Sequence, residues 1–242
     1  MPRMHPAILT ALMGGLLMAA LQPVILLYAP LEAQMGLIQK IFYLHLPLAW
    51  WGLFSFFLVF VASILFLLQR NYFWDTLAES AAEVGLVLAI LTLASGMIWA
   101  RISWNVWWVW DPRLITTLIL CFIYAAYLLA RQLDFSRQRR AMVSAVLGIV
   151  AFLDVPLVFF SARLWPRTIH PQVITGPGAG GIAPEMQLVL LFSLAAFGFL
   201  WAALLILRCR LGLATARLDG LLRARLARLD QEENSHKEHE HG

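Results

Sequence analysis

Long apolar segments separated by short polar stretches dominate this sequence. Six of them are long enough to cross a bilayer, which needs about 20 apolar residues per helix. They span residues 7–29, 44–68, 81–100, 114–130, 141–161 and 186–207. The pattern predicts an all-α fold, a polytopic membrane bundle of six transmembrane helices. Asp111 and Pro112 precede the fourth segment, and an acceptor side chain followed by proline is typical of a helix N-terminus.

Composition favours a membrane protein over a soluble domain. The chain has 242 residues, of which 61% are hydrophobic and 13% charged. A soluble domain is about 45–50% apolar and about 25% charged. So few charges cannot cover a soluble globule of this size. The two cysteines, Cys121 and Cys209, form no C-x-x-C pair, which argues against a thiol-redox role and a disulfide framework.

The distribution of basic residues predicts the orientation. Of the 18 Lys and Arg residues, 13 lie in the two termini and in the loops on the same side of the membrane, and five lie on the other side. Cytoplasmic loops carry the excess of positive charge. We therefore expect both termini to be cytoplasmic and the loops 30–43, 101–113 and 162–185 to face outward.

The C-terminal segment is predicted to form a second unit. Leucines alternate with arginines over residues 211–230, which is typical of an amphipathic helix on the cytoplasmic face, although a partner-binding helix fits equally. We divide the chain into a six-helix transmembrane domain, residues 1–210, and a cytoplasmic unit, residues 211–242. The last residues, rich in His and Glu, are expected to be a solvated, disordered tail.

Two of the six histidines, His45 and His170, fall at outward membrane boundaries. Ala49, Gly52 and Ser55 share a helical face with His45, and small residues mark helix–helix contacts, so His45 should face a neighbouring helix or a cavity beside it. Each histidine is either an interfacial hydrogen-bonding residue or one of two axial ligands to a metal or haem. A histidine at mid-membrane depth is lacking, which argues against a multi-haem electron carrier.

Tryptophan is concentrated in one outer loop. Five of the ten tryptophans fall within twelve residues, and four of these lie in the loop: Trp104, Trp107, Trp108 and Trp110. An interfacial belt explains one or two per helix end. If the loop is helical, positions 104, 107, 108 and 111 share a face and form an aromatic shelf. Such a shelf suits a flat hydrophobic ligand or a lipid anchor, and the composition favours neither.

Four charged residues near or inside the membrane leave alternatives open. Asp111 is either a helix cap or a functional group, and Arg113 either snorkels to the interface or meets an anionic group. Asp154 lies two residues before Pro156 inside the fifth segment, where an acidic group should face the bundle interior. It would bond freed backbone groups or pair with an arginine. Glu83 is interpreted as an interfacial charge at the start of the third helix.

Three motifs carry a family resemblance. W-N-V-W-W-V-W-D-P-R (Trp104 to Arg113) resembles the signature W-G-x-W-W-x-W-D of the haem-handling proteins of c-type cytochrome maturation. K-I-F-Y-L-H-L-P (Lys40 to Pro47) and D-V-P-L-V-F-F-S followed by W-P-R-T-I-H-P (between Asp154 and Pro171) match as well. With six helices, the chain is identified as a member of the haem exporter protein C (CcmC) family of the system I pathway.

The resemblance implies a haem site. His45 and His170 match the family's axial ligands of the haem iron, and the haem, of the b type, is bound non-covalently and transiently. The other matching positions are Trp104, Trp107, Trp108, Trp110, Asp111, Arg113, Lys40 and Trp165. Arg113 matches a basic residue that contacts a propionate or the haem chaperone.

Three departures from the family pattern change the expected site. Asn105 replaces the usual Gly, which predicts a less flexible start of the loop. Leu164 and Trp165 stand where two tryptophans are usual, which removes one aromatic contact near His170. Lys40 stands where Arg is frequent, and lysine keeps the charge without a bidentate fork.

The resemblance also implies a role and partners. Members bind haem at the outer face of the bacterial cytoplasmic (inner) membrane and deliver it to the haem chaperone CcmE. They associate with an ATP-binding-cassette complex, CcmA and CcmB, and with a small subunit, CcmD. This chain has no Walker motif and no evident catalytic motif, so we expect a haem-transfer protein rather than an enzyme. The alternatives are a transmembrane haem transporter, a b-type redox cytochrome, and a structural subunit whose Trp loop docks a partner.

Overall fold

A computed structural model of the chain describes residues 6–32, 35–164 and 182–240. Within these ranges the structure is helical, and the β interaction there is an isolated bridge between Glu32 and Gly36. The helices are α1 (Pro6–Pro23), α2 (Phe42–Gln69), α3 (Tyr72–Trp104), α4 (Pro112–Ala130), α5 (Arg137–Ala151), α6 (Asp154–Leu164) and α7 (Pro184–Glu240). A π-helical turn (Val24–Tyr28) follows α1, and a 3-10 turn (Leu37–Ile41) leads into α2.

In the described part of the chain, six helical spans are long and apolar enough to cross a membrane, which confirms the predicted fold class. Helices α5 and α6 together supply the fifth span, Arg137–Ser161. An even number of spans agrees with the expectation that both termini lie on the same side of the bilayer, which stays a prediction. The protein is a multi-pass membrane protein.

The third helix begins nine residues before the predicted start at residue 81. Its N-cap is Asn71, whose side-chain oxygen accepts from the Phe73 backbone N–H at 2.9 Å. Asp75, Glu79 and Glu83 lie within its first twelve residues, and these charges end the apolar pattern without ending the helix. The hydropathy pattern therefore underestimates the length of the helix. The prediction that Glu83 lies at the start of the third helix is wrong, whereas its interpretation as an interfacial charge stays a prediction.

The N-terminus of α4 is confirmed where the sequence predicts it. Asp111 has an extended backbone (φ −82°, ψ 139°), and its Oδ1 accepts from the Arg113 backbone N–H at 2.9 Å. Pro112 occupies the first helical position, where its missing N–H costs nothing. Asp111 is thus a helix cap.

The fifth span is broken near its middle. Phe152 and Leu153 separate α5 from α6, and Pro156 follows within the first turn of α6. Proline has no N–H to donate to the carbonyl four residues earlier. The Phe152 carbonyl instead accepts from the Val155 N–H at 3.1 Å.

Aromatic contacts fill the interior between α2, α4 and α7. Phe56 stacks on Tyr124 with ring centroids 3.8 Å apart, and both side chains are fully buried. Trp51 stacks on Trp201 at 4.8 Å, and the Trp201 indole N–H donates to the Ser55 hydroxyl at 2.8 Å. These contacts tie α2 to α4 on one side and to α7 on the other.

Helix α7 is continuous from the last membrane span through Glu240. The helix therefore does not end at residue 210, where we predict the boundary between the two units, and that division stays a prediction. Six leucines beyond this point, from Leu211 to Leu229, are exposed, and Leu213 is half-buried.

Helix α1 packs against α7 through Gly14. A Cβ on Gly14 would lie 3.0 Å from the Leu200 backbone nitrogen, and backbone cannot move aside as a side chain can. Its neighbour Gly15 has open space around it. We expect Gly14→Ala to be less stable than Gly15→Ala by about 1–3 kcal/mol, because both gain the same helix propensity but only the first is overpacked. Unfolding of the two variants in detergent micelles measures this difference, and equal stabilities would contradict the close contact.

Candidate functional site

Most of the predicted site residues lie at one end of the bundle. The 3-10 turn and the start of α2 meet the end of α3 there, and the Trp loop (residues 105–111) connects α3 to the start of α4. We call this the outer end, after the orientation predicted from charge, and the opposite end the inner end. The alternation of antiparallel spans brings these separate motifs together.

His45 faces α3, as the small residues on its side of α2 predict. Its Nδ1 lies 2.9 Å from the Ser95 hydroxyl oxygen, and its ring meets the Trp99 ring edge-on with centroids 5.9 Å apart. Gly96 packs directly against the imidazole, since a Cβ there would lie 3.1 Å from His45 Cε1. The imidazole is therefore oriented by one face of α3.

Glycines allow α2 and α3 to approach closely enough for this contact. A Cβ on Gly85 would lie 2.8 Å from Ser55 Cβ and 2.8 Å from the Phe56 ring. A Cβ on Gly52 would lie 3.5 Å from the Ala89 backbone nitrogen. Small residues on both helices thus bring the backbones together, in the way expected of helix pairs in a membrane.

The Trp loop is not helical, so the condition for a shared helical face of its tryptophans is not met. Helix α3 ends at Trp104, and residues 105–111 have irregular backbone. Two rings of the loop are nevertheless exposed, Trp107 by 55% and Trp110 by 77%, and so is Trp104, the last residue of α3, by 42%. Trp108 is half-buried and meets Trp110 edge-on at 6.0 Å. The loop presents apolar aromatic surface at the outer end without helical periodicity.

The backbone conformation at residue 105 explains why Asn can replace the family's usual Gly there. Asn105 terminates α3 with φ +58°, a left-handed conformation that glycine adopts freely and asparagine tolerates better than most residues. The Arg101 guanidinium donates to the Asn105 carbonyl at 2.8 Å and to its side-chain oxygen at 2.5 Å. The same guanidinium carbon lies 5.9 Å from the Trp107 ring centroid. Arg101, which the sequence reasoning missed, therefore holds the start of the Trp loop.

Lys40 has a partner within the protein. Its Nζ donates to the Leu26 carbonyl at 2.8 Å, in the π-helical turn after α1. The regular α-helical hydrogen bonds are interrupted in such a turn, so some of its carbonyl groups need another donor. Lys40 thus links the end of the first span to the turn that precedes His45. Arg113 lies half-buried in the first turn of α4.

His170 and Trp165 lie outside the described residues. Their proposed roles therefore rest on the sequence motifs, and the structure describes only the last element before them, α6, and the first after them, α7.

Two ionic clusters at the inner end were not predicted. The Arg131 side chain, 4% exposed, donates to Asp75 at 2.8 Å and to Glu79 at 3.1 Å. One turn further along α3, Glu83 forms a bidentate pair with Arg208 of α7. The recurrence of acidic residues at intervals of four on one helix is the sequence signal that points to a shared charged face.

Arg131 stays charged in this cluster. Burial lowers the pKa of its guanidinium, but the hydrogen bond to Asp75 and the surrounding negative charges raise that pKa above its ordinary value. The cluster joins the start of α3 to the end of α4 and neutralises charges that would otherwise be isolated near the membrane.

Asp154 faces the interior, as its cost in a membrane predicts, but the expected partner is not observed. The residue is 8% exposed, and within the described part of the chain its Oδ2 has no hydrogen-bond partner. Tyr124, across the α4–α6 contact, likewise has an unpartnered buried hydroxyl.

Comparison with known proteins identifies the family. The sequence model described as CcmC, heme exporter protein C, matches residues 2–223. Heme exporter protein C of Rhodobacter capsulatus is 30% identical over 195 residues, which are 80% of this chain and 81% of that protein. A putative cytochrome c biosynthesis ccmC-like mitochondrial protein of Marchantia polymorpha is 32% identical over 75% of this chain and 77% of its own length. Heme exporter protein C of Escherichia coli K12 is 27% identical over 76% and 74%. With most of its length matched, this chain belongs to the heme exporter protein C family, whose members handle haem for cytochrome c biogenesis.

Proposed function

We propose that this protein binds haem at the outer face of the bacterial inner membrane, on its periplasmic side, and passes it to the haem chaperone CcmE. The observation that carries the proposal is His45, held against α3 by Ser95 and Trp99 at the end of the bundle where α3 gives way to the exposed tryptophans. An oriented imidazole beside apolar aromatic surface is the chemistry that binds an iron porphyrin.

The donor set fits haem better than a bare metal ion. Among the described residues, no three His, Cys, Asp or Glu side chains lie together in a group that would hold a metal ion. A porphyrin supplies four ligands to its iron itself and requires only one or two from the protein. We assign one axial position to His45 and, from the sequence motif, the other to His170.

The remaining family positions fall into contact and supporting roles. Trp104, Trp107 and Trp110 provide the exposed aromatic surface against which haem rests, and Trp108 supports it. Asp111 shapes the site as the cap of α4, and Arg113 in the same turn supplies a cation for a propionate. These positions, with Lys40 as a structural link and Trp165 from the motif, are the proposed site.

The proposal describes a carrier rather than an enzyme. The haem is of the b type, held non-covalently and released to CcmE, which makes it cargo rather than a resident cofactor. CcmA, CcmB and CcmD are the proposed partners, as the family resemblance implies. Because this chain has no nucleotide-binding motif of its own, any use of ATP belongs to a partner.

The interior packing favours this surface site over the alternative of a haem path through the bundle. Phe56 and Tyr124 are stacked and fully buried between α2 and α4. Trp51 and Trp201 fill the space between α2 and α7 in the same way. A porphyrin moving between α2 and α4 would have to separate the first stacked pair, and one moving between α2 and α7 the second.

The optical spectrum of the purified full chain, supplied with haem, tests the proposal. We expect a low-spin bis-histidine spectrum for the unaltered protein, and loss of the low-spin form in both His45→Ala and His170→Ala. His236→Ala, in the C-terminal tail, is the matched histidine control and should keep the spectrum. Haem-binding spectra that are identical in all four proteins would overturn the assignment of His45 and His170. Failure of every form to bind haem would overturn the proposed function.

A further inference from the structure

The Ser95 hydroxyl lies between two hydrogen-bonding groups. Its oxygen is 2.9 Å from His45 Nδ1 and 3.0 Å from the Thr92 carbonyl oxygen on the same helix. A hydroxyl carries one hydrogen and can also accept. The carbonyl oxygen can only accept, so the one hydroxyl hydrogen must be donated to Thr92. The contact with His45 is then a hydrogen bond only if Ser95 accepts there. In that arrangement Ser95 donates to Thr92 and accepts from an N–H at His45 Nδ1.

We propose that Ser95 is a positioning residue that fixes His45 in the Nδ1–H tautomer and thereby makes Nε2 the ligand nitrogen for the haem iron. A neutral imidazole carries its proton on one ring nitrogen and a lone pair on the other. With Nδ1 protonated, the lone pair is on Nε2. The last step of this inference rests on the proposed function, whereas the tautomer itself does not.

The surroundings of the imidazole restrict its rotation as well as its protonation. Gly96 leaves the room that the ring occupies, since a Cβ there would lie 3.1 Å from Cε1 and 3.7 Å from Nδ1. Trp99 meets the ring edge-on at an interplanar angle of 77°. Ser95, Gly96 and Trp99 therefore hold the ring from one face of α3. A 180° flip of the ring would place Cδ2 where Nδ1 lies and would break the bond to Ser95.

A hydrogen bond of this kind changes the ligand chemistry as well as the geometry. Histidine ligands of metals donate their other ring N–H to an oxygen, which fixes the tautomer and raises the basicity of the ligating nitrogen. Loss of such a partner lowers metal affinity by about 10- to 100-fold. A merely structural role for Ser95, as a bond between α2 and α3, would change stability without changing the tautomer.

The haem-free full chain tests the tautomer directly. We expect ¹⁵N NMR of histidine-labelled protein to show His45, assigned by its absence in His45→Ala, with a protonated Nδ1 and a lone pair on Nε2. In Ser95→Ala the signals should move toward the other tautomer. Ser80→Ala is the matched control, because Ser80 lies 15 residues before Ser95 on the same helix and its hydroxyl donates to the Thr76 carbonyl at 2.8 Å. An Nε2–H tautomer in the unaltered protein, or no change in Ser95→Ala, would overturn the inference.

Haem titration tests the step to the iron. Ser95→Ala should bind haem about 10- to 100-fold more weakly and change the low-spin spectrum. Ser95→Thr, which keeps the hydroxyl, should restore both. Equal affinities of Ser95→Ala and the unaltered chain would overturn the positioning role even if haem binding itself stands. If no form binds haem, the proposed function fails, while the NMR result still decides the tautomer.

Discussion

Replacing Arg131 by methionine is expected to destabilise the bundle by about 3–5 kcal/mol, the usual cost of removing one partner from a buried ion pair. The Arg131 side chain is 4% exposed and its partner Asp75 is 14% exposed, so little water can reach the carboxylate that the change leaves behind. Glu79 loses the same partner. Reversible unfolding in detergent micelles, followed by circular dichroism, measures the loss.

A second variant separates the ionic effect from lost packing. Adding Asp75→Asn and Glu79→Gln to Arg131→Met removes the isolated charges, so this triple variant should recover part of the lost stability. Arg228→Met, at an exposed position of α7, is the matched control and should change stability by less than about 0.5 kcal/mol. If Arg131→Met unfolds like the control, the cluster does not stabilise the fold.

Removing the exposed tryptophans together is expected to weaken haem binding by about 100-fold while the fold persists. In the triple variant Trp104→Leu, Trp107→Leu, Trp110→Leu, each lost aromatic contact contributes about 0.5–1.5 kcal/mol beyond its burial. Three such contacts sum to roughly 3 kcal/mol, and every 1.4 kcal/mol is about tenfold in affinity. Fluorescence quenching or an optical titration with haem measures the change.

Trp50 provides the control for this experiment. It is 53% exposed on α2, close to the 55% of Trp107, but it belongs to a membrane span rather than to the Trp loop. Trp50→Leu should therefore leave haem affinity unchanged. An equal loss in both proteins would mean that exposed tryptophans act through the surrounding detergent or lipid. No loss in the triple variant would show that these three rings do not contact haem.

The sequence by itself determined the number of spans and the identity of the candidate site. Apolar segments of about 20 residues suffice to predict the spans, because transfer of a helix into a bilayer depends on its own side chains. The cap at Asp111 was equally predictable, since its partner, the Arg113 N–H, is two residues away. Such local features need no knowledge of the rest of the chain.

The backbone conformation of the Trp loop was not determined locally. The spacing of the tryptophans suggested a helical face, but α3 ends at Trp104 and Asn105 turns left-handed. The Arg101 side chain then contacts both Asn105 and the Trp107 ring at the start of the loop. Aromatic residues occur in helices and loops alike, so their spacing cannot decide between the two.

Only the tertiary structure decided which polar groups are paired. Asp75 and Arg131 are 56 residues apart, and His45 and Ser95 are 50 apart. A charge inside a membrane segment predicts that a partner is needed. It does not predict which residue that partner is, because the partner depends on which helices pack together. Here the packing depends on the shapes of the helix surfaces, because glycines such as Gly85 and Gly96 let α2 and α3 approach each other. The chain therefore marks His45 locally as a candidate ligand, whereas the Ser95 hydroxyl that contacts it follows from the fold.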